Sequence, residues 1–148
     1  MSPQICAILL AGAAVGSIDA IANTTLAYTN GVSPVRAWQF VASGLLGPKA
    51  FVEGTKSMLL GLLLHFFISF SVATAFILAA SVVPGLLVYP LMSGSSFGLI
   101  VYFVMKLVIS LSATPKREVS RNQILGQLII HIFIIGVPIA FIAKHFLA

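Results

Sequence analysis

A chain of 148 residues that is 59% hydrophobic and 7% charged, with a mean hydropathy of +1.12, has too few polar groups to coat a water-soluble globule. The net charge of +5 comes from cations placed at the ends of apolar runs, which argues against nucleic-acid binding and for a protein whose partner is the lipid bilayer. Four long apolar runs predict one all-α integral membrane domain over 1–148, because lipid leaves the helix as the default spanning structure.

The first run covers roughly 5–28, beyond the ~20 residues needed to cross the hydrocarbon. Ala20-Ile21-Ala22 has the small-residue look of a signal-peptide cleavage site, but no Lys or Arg precedes the run and Asp19 would fall in the cleavage region, so a span is expected. Cys6 has no second cysteine to pair with and reads as a small hydrophobe. Gly12 and Gly16 form a small-xxx-small face, and Asp19 follows them on the same face, so it should point into the bundle with Asn23 one turn further on.

The next segment, Ser33-Pro-Val-Arg-Ala-Trp-Gln-Phe-Val-Ala-Ser-Gly-Leu-Leu-Gly-Pro48, carries an N-cap, a proline at the first helical position and a Gly-Pro stop, predicting a short helix over about 34–46. Val35, Trp38, Val41, Ala42 and Leu45 recur at helical spacing. The helix is therefore expected in the membrane interface, with Trp38 at headgroup level, Arg36 toward phosphate and Gln39 beside them; the alternative is a re-entrant plug built on the small Ser43–Gly47 stretch.

The second span, about 57–83, holds His65 with Ser69 one turn later, and the third, about 86–112, holds Gly94, Gly98, Tyr102 and Lys106. In the fourth, about 123–146, Gln127 precedes His131 by one turn. Ala11–Gly16 matches Ser93–Gly98, and the two His-bearing stretches match each other, so the chain reads as two helical hairpins in parallel repeat. The glycine faces of spans one and three are expected to pack tightly together.

Basic residues set the orientation. Arg36, Lys49 and Lys56 stand in the first connection and Lys116, Arg117 and Arg121 in the third, against Lys144 alone on the other side, so both termini are expected outside the cytoplasm. Asp19, His65, Lys106 and His131 then fall roughly 9–14 Å below one membrane surface at 1.5 Å per residue. Charged groups left facing lipid cost about 2.5 kcal/mol or more, so these four predict a buried polar layer supported by Asn23, Ser69, Tyr102 and Gln127.

Three readings of that layer compete. It is an ion-paired core joining Asp19 to Lys106 that fixes helix register, a proton or small-solute site, or a pair of axial ligands, His65 and His131, for a haem b. Lys106 is also close enough to its span end to snorkel to the surface. No HExxH, GxSxG or P-loop appears, no metal site is expected and no enzyme activity is assigned. The preferred expectation is binding or permeation of a small solute or protons; a structural subunit of a membrane complex, possible as a homo-oligomer, and a haem-binding electron-transfer protein are the alternatives.

Pro34, Arg36, Gln39, Ala42-Ser-Gly-Leu-Leu-Gly47, Leu60-Gly61, His65-Phe66, Met105, His131, Gly136 and Pro138 together resemble a family of small uncharacterised bacterial inner-membrane proteins. The resemblance covers most of the chain and implies an inner-membrane location, but it brings no activity with it. Lys106 stands where the resemblance implies an uncharged amide.

Overall fold

The computed structural model describes residues 1–116 and 118–148; Arg117, which the orientation argument uses, lies outside them. The described residues form helices and turns with no strand, and four of the helices are long and apolar enough to cross a membrane. We label the helices α1 (Pro3–Thr29), α2 (Pro34–Leu46), α3 (Thr55–Val82), α4 (Pro90–Leu111) and α5 (Arg121–Leu147). Short 3-10 turns at Gly47–Phe51 and Pro84–Leu87 lead into α3 and α4.

The helix starts follow from local chemistry. Ser2, Ser33 and Ser120 each accept a backbone N–H three residues on, satisfying a donor that has no partner within the helix, and Gln123 completes a capping box by accepting from the Ser120 N–H. Pro3, Pro34 and Pro90 occupy first-turn positions, where a missing N–H costs nothing. Two spans are not uniformly α: α1 widens to a π segment at Ala11–Val15 and α5 at Ile130–Gly136.

The two long connections lie together at one end of the bundle, the loop side: the Ala113 N–H donates to the Gly44 carbonyl at 3.2 Å, joining α2 to the segment after α4. The chain termini lie at the other end. Toward the termini the core is apolar, with Ala7, Ala11, Val15, Ala73, Phe76, Ile77, Ile139 and Ala140 all buried. Helix α5 packs against each of the other spans, whereas α4 leans on α5 and meets α3 at an edge contact between Phe76 and Phe97, centroids 5.0 Å apart.

The glycine faces do their packing within each hairpin, which corrects the expected pairing of spans one and three. A Cβ at Gly12 would run into the Phe70 ring of α3, and one at Gly16 would lie 2.6 Å from Ser69 Oγ. A Cβ at Gly98 would strike the His131 carbonyl of α5, and one at Gly94 would lie 2.7 Å from the Gly136 carbonyl. The spacing identifies a face on which backbones approach, but any neighbouring helix satisfies it, and here each face meets the next membrane-length helix in the chain, α3 for α1 and α5 for α4. The matched motifs thus make corresponding contacts, Gly16 against the His65 helix and Gly98 against the His131 helix.

Candidate functional site

Asp19, His65 and His131 each stand ten residues from the loop-side end of their helices, at Thr29, Thr55 and Arg121, or about 15 Å along the axis at the α-helical rise. A chain of polar contacts joins them. His65 Nε2 lies 2.9 Å from the Gly16 carbonyl, and its Nδ1 lies 3.9 Å from Asp19 Oδ2. Asn23 Nδ2 donates to Asp19 Oδ1 at 2.6 Å, and Gln127 Nε2 donates to Asn23 Oδ1 at 2.7 Å, carrying the chain from α1 to α5. His131 ends it, with Nδ1 2.8 Å from the Gln127 backbone carbonyl and its ring edge-on to Tyr102.

The glycines make the first part of this chain possible. Ser69 Oγ donates to the Gly12 carbonyl at 3.0 Å, one turn from the bond between His65 and Gly16, so two side chains four apart on α3 read two carbonyls four apart on α1. A carbonyl has two lone pairs and accepts a second donor without leaving its helix, provided no Cβ shields it. Gly12 lies within the π segment of α1 and His131 within that of α5, so both irregular turns fall at close interhelical contacts.

The carbonyls also fix the tautomers. Because a carbonyl only accepts, His65 Nε2 carries a proton, and the lone pair of the neutral ring is on Nδ1, facing Asp19. A second proton on this imidazole enters beside the carboxylate. His131 is the reverse: Nδ1 donates to Gln127, leaving Nε2 as its basic atom. Asp19 and His65 thus bring a carboxyl group and an imidazole together, with side chains only 11% and 12% exposed.

Lys106 does not belong to the layer, contrary to the expected ion pair with Asp19. It is exposed on α4, its ammonium 5.7 Å from the Tyr102 ring centroid, and the side chain that stands beside the Asp19 carboxyl group, at 3.9 Å, is His65. Lys106 stands only five residues from the end of α4 at Leu111, and α4 borders α5 rather than α1, so α5 intervenes between the two charges. The supporting residues also take other partners than expected: Ser69 serves Gly12, the Gln127 side chain serves Asn23, and Tyr102 is buried between His131 and Lys106.

Helix α2 turns two of its three named residues toward the bundle. The Trp38 ring is edge-on to His65, centroids 5.2 Å apart, and lines a groove of about 250 Å³ with Ala20, Ile21, Thr24 and Thr25 of α1. Gln39 is buried and its amide donates to the Gly54 carbonyl at 3.1 Å. Arg36 alone of the three stays exposed, stacked over Phe51 at 5.4 Å. The reason is Gly61: its missing Cβ leaves the space in which the Trp38 carbonyl sits, so α2 turns its apolar face onto α3 and carries the indole down to the imidazole. Gly61 and Trp38 are thus site residues that the apolar periodicity of α2 did not reveal, although a glycine one turn before His65 is a legible mark of close backbone approach.

A bis-histidine haem does not fit. The Nε2 of His65 is engaged by Gly16, the side chains of Asp19, Asn23 and Gln127 stand between the imidazoles, and neither histidine lines the groove beside Trp38 or the groove of about 340 Å³ between α3 and α4. No three His, Cys, Asp or Glu side chains among the described residues come together as a metal site. Comparison with protein-family models, with curated proteins and with solved structures returned no match.

Proposed function

We propose that this chain is a multi-pass protein of a bacterial-type inner membrane, with both termini outside the cytoplasm, that takes up and releases protons at Asp19 and His65. One observation carries the reading: a carboxyl group and a ring nitrogen of an imidazole lie 3.9 Å apart in the bundle interior. A titratable pair at this depth is costly to maintain, and exchanging a proton is the chemistry it performs best. Asn23 holds one carboxylate oxygen and Gly16 holds the far side of the ring, so both partners are oriented for that exchange. The apolar terminal-side core lies between the pair and the opposite face, so the reading implies that proton movement across the protein needs a change of conformation.

Proteoliposomes containing a pH-sensitive dye test the proposal. Under a potassium diffusion potential the wild-type protein is expected to acidify the lumen several-fold faster than Asp19→Asn or His65→Phe. Equal rates for the wild type and Asp19→Asn overturn it. A second reading, a structural subunit of a membrane complex, draws on the amide bond between Gln127 and Asn23, which holds α1 to α5 without using charge. It predicts no flux from any variant and loss of assembly when that bond is cut.

A further inference from the structure

The pair is closed toward the loop side by two contacts of unlike construction. One joins two spans: Leu26 of α1 packs against Gly126 of α5, where an added Cβ would lie 3.0 Å from the leucine methyls. The other is Trp38, which covers His65 from α2, a helix that is not itself a span. Glycines in the left-handed region flank α2, Gly31 with φ 78° and Gly47 with φ 59°, a conformation open to glycine at little cost. Besides its packing on α3, α2 is tied by hydrogen bonds from the Gln39 amide to the Gly54 carbonyl and from the Ala113 N–H to the Gly44 carbonyl.

We propose that α2 is a hinged gate, turning about Gly31 and Gly47, and that Trp38 is the stopper it withdraws from His65 to admit water from the loop side. What the gate admits water for rests on the proton-binding reading; that it controls access to His65 does not. Outward movement of α2 breaks the Gly44 to Ala113 bond first, because that bond ties the far end of the helix to the segment beyond α4. The indole then leaves the imidazole, and the lone pair of His65 Nδ1 beside Asp19 meets solvent.

The geometry provides a lock for the test. An ideal Cβ at Gly44 lies 3.8 Å from Ser112 Cβ, the mean separation in a disulfide, so Gly44→Cys with Ser112→Cys should bridge α2 to the end of α4 on oxidation. The native cysteine is removed by Cys6→Ala to leave one possible bridge. Membrane-reconstituted protein is treated with diethyl pyrocarbonate, which acylates accessible neutral imidazoles, and the modified histidines are measured by mass spectrometry. His145, exposed near the other end of the bundle, serves as the internal control.

Oxidation is expected to lower labelling of His65 several-fold, reduction to restore it, and His145 to react alike in both states. Equal labelling of His65 with the bridge open and closed overturns the gate. A second variant, Trp38→Ala, removes the stopper without a bridge and should raise His65 labelling above wild type; unchanged labelling also overturns the proposal. The readout is independent of proton flux, so loss of flux selectivity at Asp19 would defeat the proton-binding reading and leave this result to stand or fall alone.

Discussion

The side-chain amide of Gln127 donates to the amide oxygen of Asn23 at 2.7 Å, joining two helices whose bonded residues are 104 positions apart. Asn23 in turn donates to Asp19, so a bond between uncharged groups on α1 and α5 sets the position of a charged one. Gln127→Leu leaves the Asn23 oxygen without its donor, while Asn23→Leu removes that bond together with the two that Asn23 donates to Asp19, one to its side chain and one to its carbonyl. Interhelical hydrogen bonds in membranes contribute about 0.6 kcal/mol on average and up to about 1.7. The double change should therefore cost less than the sum of the singles by an amount in that range, measured by unfolding in mixed micelles. Additivity of the two costs would show that the bond contributes nothing.

The packing glycines give a graded prediction. At Gly98 an added methyl meets the His131 carbonyl, which belongs to backbone and cannot yield without moving α5, so Gly98→Ala is expected to destabilise the protein by about 1–3 kcal/mol. At Gly126 the methyl meets only the tips of Leu26, which can rotate, and the gain in helix propensity of up to about 1 kcal/mol offsets that shift. Gly126→Ala should be nearly neutral. Thermal unfolding in one detergent compares them, and similar losses at both positions would contradict this account of the backbone contact.

Much of this arrangement is legible in the sequence where the signal is local. Ser33, Pro34 and Gly47 bound α2 at Pro34–Leu46, as the cap and stop residues predict, and the four apolar runs give the four long helices to within a few residues at most ends. The spacing of Gly12, Gly16 and Asp19 correctly turns Asp19 inward, and it is buried. What periodicity lacks is the identity of the neighbour. It describes a face in the frame of its own helix, so it does not say that Gly12 meets Phe70 or that Lys106 is separated from Asp19 by α5. The inward turn of Trp38 depends on the space beside Gly61, twenty-three residues away, and the π segments arise from interhelical fit that no local pattern records.

The orientation has its own test. The Gly44 to Ala113 bond places the first and third connections at one end, and these hold Arg36, Lys49, Lys56, Lys116 and Arg121. Short loops rich in Lys and Arg stay in the cytoplasm. A reporter fused after Ala148 should be active only outside the cytoplasm, and one inserted near Glu118 only within it. The opposite pattern would reverse the sidedness of the gate while leaving the polar chain unchanged.

The exposed position of Lys106 reverses what its sequence depth suggests about Asp19. Two charges buried together would be coupled, because removing one leaves the other without compensation, typically at about 3–5 kcal/mol. Lys106 is exposed, and its ammonium sits over Tyr102 rather than beside the carboxylate. Lys106→Met should thus change stability by no more than about 0.5 kcal/mol, and its effect should add to that of Asp19→Asn. Asp19 and His65 face each other at 3.9 Å and should behave otherwise, with the double variant Asp19→Asn, His65→Phe departing from additivity by about 0.5–3 kcal/mol. Both cycles are run in the same micelles at one pH. Coupling confined to the pair with His65 locates the compensating partner of Asp19 on α3; coupling to Lys106 instead would require α4 to approach α1, against the packing in which α5 stands between them.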